Sequence, residues 1–554
     1  MKLPIMTPWK RFVSLLELDK KDIRHIFYYA IFAGLVALTL PLGIQAIINL
    51  IQGAQVTTSW IILVVLVTLG VAFQGILQLM QIRILESMQQ KIFTRASFEF
   101  AYRFPKLKME ELRNYYPPEL ANRFFDVLTI QKSLSKILID FPAAVLQIIF
   151  GLILLSFYHP FFIVYGFLLV LLIYIVFKFT AKKGLETSLK ESESKYKVAY
   201  WIQEVSRSLV SFKLSGTTDL AMKRIDLLTT NYLESRENHF KVLLSQFIKL
   251  IIFKVLVTAG LLLIGGLLVL NQQMNIGQFV AAEIIILLVL NSVEKLIKGL
   301  EFFYDVLTSL EKIGQVVDKA LERQDGENPF SSGQGAHIEF DALGYTTPEG
   351  QQVLSAISFT INPSDRILLS GVSGSGKTTL MNILSGLFTP SKGAIYINDI
   401  SISGVCPAKY RNHIGQVLPS QSPFEGTILE NITFGRKDIS QEHLHSVLKA
   451  LGLLSFIKQQ INGIHTLISP EGQQIPFTVS KRIVLARAII YNPKLLLLKD
   501  PLEHFEKEEA AQIIAYITSA ERPWALVVSG QNELWKQHCN HRIEISGGTI
   551  ISKK

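Results

Sequence analysis

The sequence predicts a helical membrane domain of six spans followed by an α/β domain built around a phosphate loop. Three observations predict it: six separate apolar runs, long basic connections on one side only, and a glycine-rich loop set between a strand and a helix in the C-terminal part. Of the 554 residues 49% are hydrophobic and only 18% charged, too apolar a balance for an ordinary soluble protein, and the apolar residues crowd into the first part of the chain. That length suits two or three domains.

A helix needs about 20 apolar residues to cross a bilayer. The runs at 26–51, 60–80, 137–157, 161–179, 250–270 and 277–293 meet that requirement. Residues 52–59 and 271–276 carry no charge, and Tyr158, His159 and Pro160 form a minimal hairpin. On the other side, Arg83, Lys91, Arg95, Arg103, Lys106, Lys108 and Arg113 follow the second run, and Lys178, Lys182 and Lys183 follow the fourth. The positive-inside rule then puts both termini, the long connections and the C-terminal domain in the cytoplasm of a multi-pass inner (plasma) membrane protein. The net charge of +10 is assigned to the membrane surface rather than to nucleic acid.

The two long connections are rich in helix formers and read as continuations of the membrane helices into the cytoplasm. The Pro117-Pro118 pair breaks the first, and a short cross-helix there is expected to touch a cytoplasmic domain. Glu283 sits in the sixth run without a basic neighbour along the helix. A carboxylate there is costly in lipid and should face a cavity or a partner helix. Glu294, Lys295 and Lys298 mark that run's exit into water. Residues 1–24 show no cleavable signal and read as an amphipathic helix approaching the membrane. Cys406 and Cys539 form neither a disulfide framework nor a metal cluster with other residues.

The membrane domain is therefore placed at 1–320, a polar Gly/Ser-rich linker at 321–336 and the α/β domain at 337–554. A strand-like segment, 366–370, runs into Gly371-Val372-Ser373-Gly374-Ser375-Gly376-Lys377-Thr378-Thr379, and a helical pattern follows from Leu380. This is a complete phosphate loop in its strand–loop–helix setting. The glycines let backbone N–H groups close around a phosphate. Lys377 reaches the terminal phosphates, Thr378 offers a hydroxyl to a magnesium ion, and the helix presents its positive end.

With the six runs, their extensions and this loop, the chain resembles ABC exporters of the type I secretion and bacteriocin-export kind, although no peptidase domain precedes its first span. The resemblance implies ATP and Mg²⁺ as ligands. It also implies a dimer with itself or another ABC half-transporter, a periplasmic adaptor and an outer-membrane protein as further partners, and a peptide, protein or hydrophobic substrate. The family's motifs are followed only in part. Its adenine-stacking aromatic falls at Thr347, with Tyr345 two residues early. Its glutamine falls at Pro419, with Gln421 two residues late, although Gly426-Thr427-Ile428-Leu429-Glu430-Asn431 fits closely. The signature reads Ile475-Pro476-Phe477-Thr478-Val479, without the serine and glycines that cap a phosphate, ahead of a well-matched helix through Arg482 and Arg487. Lys499 stands where the resemblance expects the magnesium aspartate, Asp500 where it expects the catalytic glutamate, Glu506 at the inter-subunit aspartate, and Gly530 at the switch histidine. A register shifted by one residue would make Asp500 the magnesium ligand, but it turns over the strand faces and puts Pro501 at the glutamate.

The functional expectation is an ABC-type exporter subunit that binds ATP with impaired or absent hydrolysis. The alternative is a non-hydrolysing membrane scaffold or a regulatory subunit of an export complex.

Overall fold

The computed structural model describes residues 6–52, 58–113, 115–331, 333–419, 421–530 and 533–553. The chain divides into two compact units, one of residues 1–106 and 114–319 and one of residues 107–113 and 320–554.

In the first unit six helices, counted among the described residues, are long and apolar enough to cross a membrane. They run Lys20–Gln52, Thr58–Lys106, Pro117–Tyr158, Phe161–Arg207, Leu220–Leu270 and Ile276–Val317. Each contains one of the apolar runs, and the later five extend well beyond it, so the polar connections do continue the helices. Small residues let the helices close on one another. A Cβ on Gly184 would lie 2.3 Å from the Tyr304 ring, and one on Gly299 would lie 2.3 Å from the Phe141 ring. The last span begins with a capping box: Asn275 accepts from the Gln278 N–H while the Gln278 side chain accepts from the Asn275 N–H. Ahead of the first span, Thr7 caps a helix over Pro8–Leu18 that buries Phe12 against Phe303, as an amphipathic approach helix should.

The second unit contains two main sheets and a short pair, β7 (Gly426–Thr427) with β8 (Leu467–Ile468). One is antiparallel, in the order β2-β1-β4-β5, with β1 over Ile338–Thr346, β2 over Gln352–Ile361, β4 over Lys392–Ile397 and β5 over Ile400–Ser401. The other has the order β12-β11-β3-β10-β9-β6. Its parallel strands are β3 (Arg366–Ser370), β6 (Ile414–Val417), β9 (Leu495–Lys499), β10 (Ala525–Ser529) and β11 (His541–Ser546), with β12 (Thr549–Lys553) antiparallel at the edge. β3, β9 and β10 are near-continuous runs of buried apolar residues, as strands covered on both faces must be.

Two sequence expectations shift here. The segment expected as a linker, 321–336, carries packed residues among those described. Leu321 bridges Leu107, Glu327 bridges Val405, and Phe330, 3% exposed, stacks on Tyr410. A polar run thus hides an aromatic anchor. The contact helix of the first connection is Met109–Leu112, which belongs to the second unit and where Glu110 accepts from the Thr389 N–H at 3.0 Å. The Pro117-Pro118 pair instead starts the next helix, where a first-turn proline loses no hydrogen bond.

Candidate functional site

β3 ends at Ser370, and the next residues turn back to start the helix Lys377–Leu384. Gly371, Gly374 and Gly376 have φ of 140°, 81° and 104°, a region that side chains strain to enter. At Gly371 the reason is also steric, because a Cβ would lie 2.1 Å from the Ile545 carbonyl oxygen. Lys377 folds over this loop, its ammonium donating to the Gly371 and Val372 carbonyls at 2.7 Å each and to Ser375 Oγ at 3.2 Å. Burial, with Lys499 nearby, holds the Lys377 ammonium below the ordinary lysine range, and Asp500 opposes that shift. Thr378 is exposed at the start of the helix and Thr379 half-buried behind it. Backbone amides, a lysine and a helix N-terminus are therefore gathered in one loop, a donor set that suits the phosphates of ATP.

The frame beside the loop is equally well built. Thr427 and Glu430 form a capping box, and the buried Asn431 amide donates to the Phe424 carbonyl while its oxygen accepts from the Phe424 N–H at 2.9 Å. Arg487 donates to the Asn431 carbonyl at 2.7 Å and lies over the Phe424 and Phe434 rings. Its burial pushes its pKa down to about 10.

The carboxyl end of β9 is built differently. Lys499 closes β9, opposite Ser529 of β10, and its ammonium is ion-paired with the Asp500 carboxylate. Asp500 leaves the strand with φ 45° and donates its N–H to the Ser529 carbonyl at 2.7 Å. Gly530 follows on β10, and a Cβ there would meet only ordinary contacts, at 3.5 Å from Trp535 and 3.7 Å from Asp500. Pro476 precedes the helix Phe477–Ile489 without a side-chain cap. Phe477, half exposed, leans on His504.

The Tyr345 and Gln421 side chains are engaged away from the phosphate loop. Tyr345 is 6% exposed, in the core, stacked on Phe388, and Thr347 at the expected aromatic position is also buried. The Gln421 side chain instead accepts from the Leu418 N–H at 3.3 Å, closing its own turn, while Pro419 is exposed and has no side-chain donor. A magnesium ion does not fit the residues present. The carboxylate that phosphate-loop enzymes place behind the ion is Lys499 here, and the neighbouring carboxylate is already neutralised by it. Only the Thr378 hydroxyl remains of the expected protein ligands.

A second feature lies in the first unit, unseen in the sequence reading. A cavity of about 670 Å³ carries five amides, Gln74, Gln78, Gln81, Gln147 and Asn291, among apolar residues and the charged Asp140, Glu294, Lys295 and Lys298. Gln81 donates to the Ile26 carbonyl, and Ser292 donates to Gln147 at 2.9 Å. At one end Glu294 pairs with Lys254 and Lys298. Glu294, Lys295 and Lys298, expected to mark the exit of the sixth run, line this chamber, and Lys254 does not. The signal was present as three glutamines at helical spacing in an apolar run. Glu283 is half-buried on the last span and does not line this chamber.

Six membrane-crossing helices followed by a phosphate-loop domain with this strand order define an ATP-binding, membrane-spanning protein. Residues 25–293 match the ABC transporter transmembrane region, and residues 354–503 match the ABC transporter family. The chain is an ABC transporter with the domain order of an exporter. It is similar to the ATP-dependent lipid A-core flippase of Burkholderia pseudomallei, 26% identical over 284 residues, 51% of this chain and 47% of the relative. A flippase of the same description from Bordetella avium is 28% identical over 248 residues, 44% of this chain and 42% of that one. The chain thus spans about half the length of the curated relatives it matches. The fold resembles a solved bacterial Atm1-family ABC exporter with ATP bound, with a TM-score of 0.82, 15% identity, and coverage of 96% of this chain and 95% of that one. These relatives overturn the resemblance to type I secretion and bacteriocin exporters. The six spans and the phosphate loop are common to exporters that carry very different cargo, so they could not single out a subfamily.

Proposed function

We propose that the chain is one half of a dimeric exporter that moves an amphipathic, lipid-class substrate outward, and that its own nucleotide site binds ATP but turns it over slowly. The observation that carries this reading is the Lys499–Asp500 ion pair at the end of β9. Attack on the terminal phosphate needs an acceptor that orients water and positive charge on the developing oxygens. Asp500 is one methylene shorter than glutamate and spends its charge on Lys499. Gly530 has no side chain to add. In the family, a signature from the facing subunit caps the phosphate, and Pro476 lacks the N–H that such a cap requires. An intact partner would restore its own catalytic residues but would still face this signature, so both sites of the dimer are slowed.

The substrate class is supported by the flippases among the relatives and by the amides of the chamber. Amides hydrogen-bond a polar headgroup while the surrounding apolar helix faces accept chains. A dimer is supported because one six-helix half encloses no complete path. Both termini and the nucleotide domain are cytoplasmic in this reading. A cysteine at Gln273 should therefore be labelled from outside the cell. A cysteine at Val56, a position outside the described residues, should be labelled from the same side.

The test is to load purified protein in lipid with ATP and magnesium, wash it, and identify the retained nucleotide. Mostly ATP on a complex of dimer mass is the expected result. Mostly ADP, or a monodisperse monomer, would overturn the reading.

A further inference from the structure

β3, β10 and β9 lie side by side and parallel, so Ser370, Ser529 and Lys499 end at the same sheet edge. Ligands of such sheets bind outside those carboxyl ends. Lys499 is the residue that β9 delivers there. Its side chain is 16% exposed and its ammonium is held by Asp500. Only β10 separates β9 from β3, the strand that runs into the loop ending at Lys377, so both lysines are delivered to this edge of the sheet.

The charges around the phosphates can be compared directly. An ordinary phosphate-loop enzyme gathers a lysine, a divalent ion, the aspartate behind the ion and a second carboxylate. Those sum to one net positive charge. Here Lys377, Lys499 and Asp500 reach the same single positive charge with no metal. A divalent ion added to this set would sit against an ammonium, with no carboxylate free to hold it.

We propose that this site takes its nucleoside triphosphate free of divalent cation, with the Lys499 ammonium supplying the positive charge that a metal would otherwise bring to the phosphates. The inference rests on ATP occupying the phosphate loop. It does not depend on the rate of turnover. The Lys499 ammonium has three N–H donors, so it can keep Asp500 and still donate to a phosphate oxygen.

The test is equilibrium ATP binding to the full-length protein in lipid nanodiscs, in excess Mg²⁺ and in excess EDTA. The wild-type dissociation constants in the two buffers are expected to agree within about threefold, less than 1 kcal/mol. Lys499→Asp should bind at least about tenfold more tightly with Mg²⁺ than with EDTA, because it recreates the missing ligand. Lys499→Met keeps the stem without the charge and should weaken binding in EDTA by about tenfold or more. Its thermal unfolding, compared with wild type, separates lost binding from lost fold. Wild-type binding that collapses in EDTA would overturn the proposal. So would equal affinity for wild type and a folded Lys499→Met, or no ATP binding by wild type in either buffer. Fast hydrolysis with metal-independent binding would overturn only the slow-turnover reading.

Discussion

The two edges of the nucleotide pocket are built from different materials. The phosphate loop is made mainly of backbone: three glycines at positive φ, a helix start, and one lysine bonded to loop carbonyls. The end of β9 is made of side chains, and there a lysine and an aspartate satisfy each other. Backbone geometry is fixed by packing and resists drift, since a Cβ at Gly371 would collide with Ile545. Side-chain chemistry can change without disturbing the sheet, because Lys499 and Gly530 occupy their places in β9 and beside β10 without a clash. A site can therefore keep its grip on phosphates while its reacting edge is rebuilt.

The comparison breaks most severely if the backbone edge proves dispensable. Gly371→Ala should abolish ATP binding and destabilise the nucleotide domain by about 2–3 kcal/mol, the scale of one forced backbone outlier. Thermal unfolding and ligand binding read the two effects separately. Lys377→Ala should weaken ATP binding by at least about tenfold, through loss of a charge-assisted phosphate contact. Equal binding by the two proteins would place the nucleotide elsewhere.

A smaller effect concerns pH. Lys377 sits below the ordinary lysine range because burial and Lys499 disfavour its charged form. That form is the one that grips phosphate. ATP affinity should therefore fall as pH rises through the lowered pKa, at a pH below the ordinary lysine value near 10.4, by a few-fold per unit. Binding isotherms across alkaline pH would show this, and Lys377→Ala should flatten the dependence. The smallest effect is expected from Lys499→Asp on turnover. Residues that act as a unit are not rescued singly, so this change alone should raise phosphate release by less than about tenfold. Adding Asp500→Glu, Gly530→His and a restored signature should raise it much further, and Gly530 has room for the first atom of a side chain.

Much of this was legible in the sequence, for physical reasons that differ by region. A span must be about 20 apolar residues long, so all six helices announced themselves. The phosphate loop was legible because only glycine tolerates its backbone. The Lys499–Asp500 pair was hidden, since neighbours on a strand point to opposite faces. The left-handed turn at Asp500, φ 45°, brings the two side chains together. Phe330 was lost in a polar run, and Tyr345 gave no sign that it packs on Phe388. Gln74, Gln78 and Gln81 did carry a helical spacing, but their joining with Gln147 and Asn291 depends on how separate spans pack. The choice of exporter subfamily could not be made from motifs common to the whole class.

The most direct measurement is magnesium-dependent phosphate release by purified protein in lipid, with Lys377→Ala as the control for contaminating ATPases. Typical enzymes turn over at about one per second or faster, and loss of one positioned contact costs about a hundredfold. The account predicts release below about 0.01 per second, little above the control, from protein that still binds ATP. Release of about one per second or more, abolished by Lys377→Ala, would contradict it and show that another group has taken over the chemistry at the end of β9.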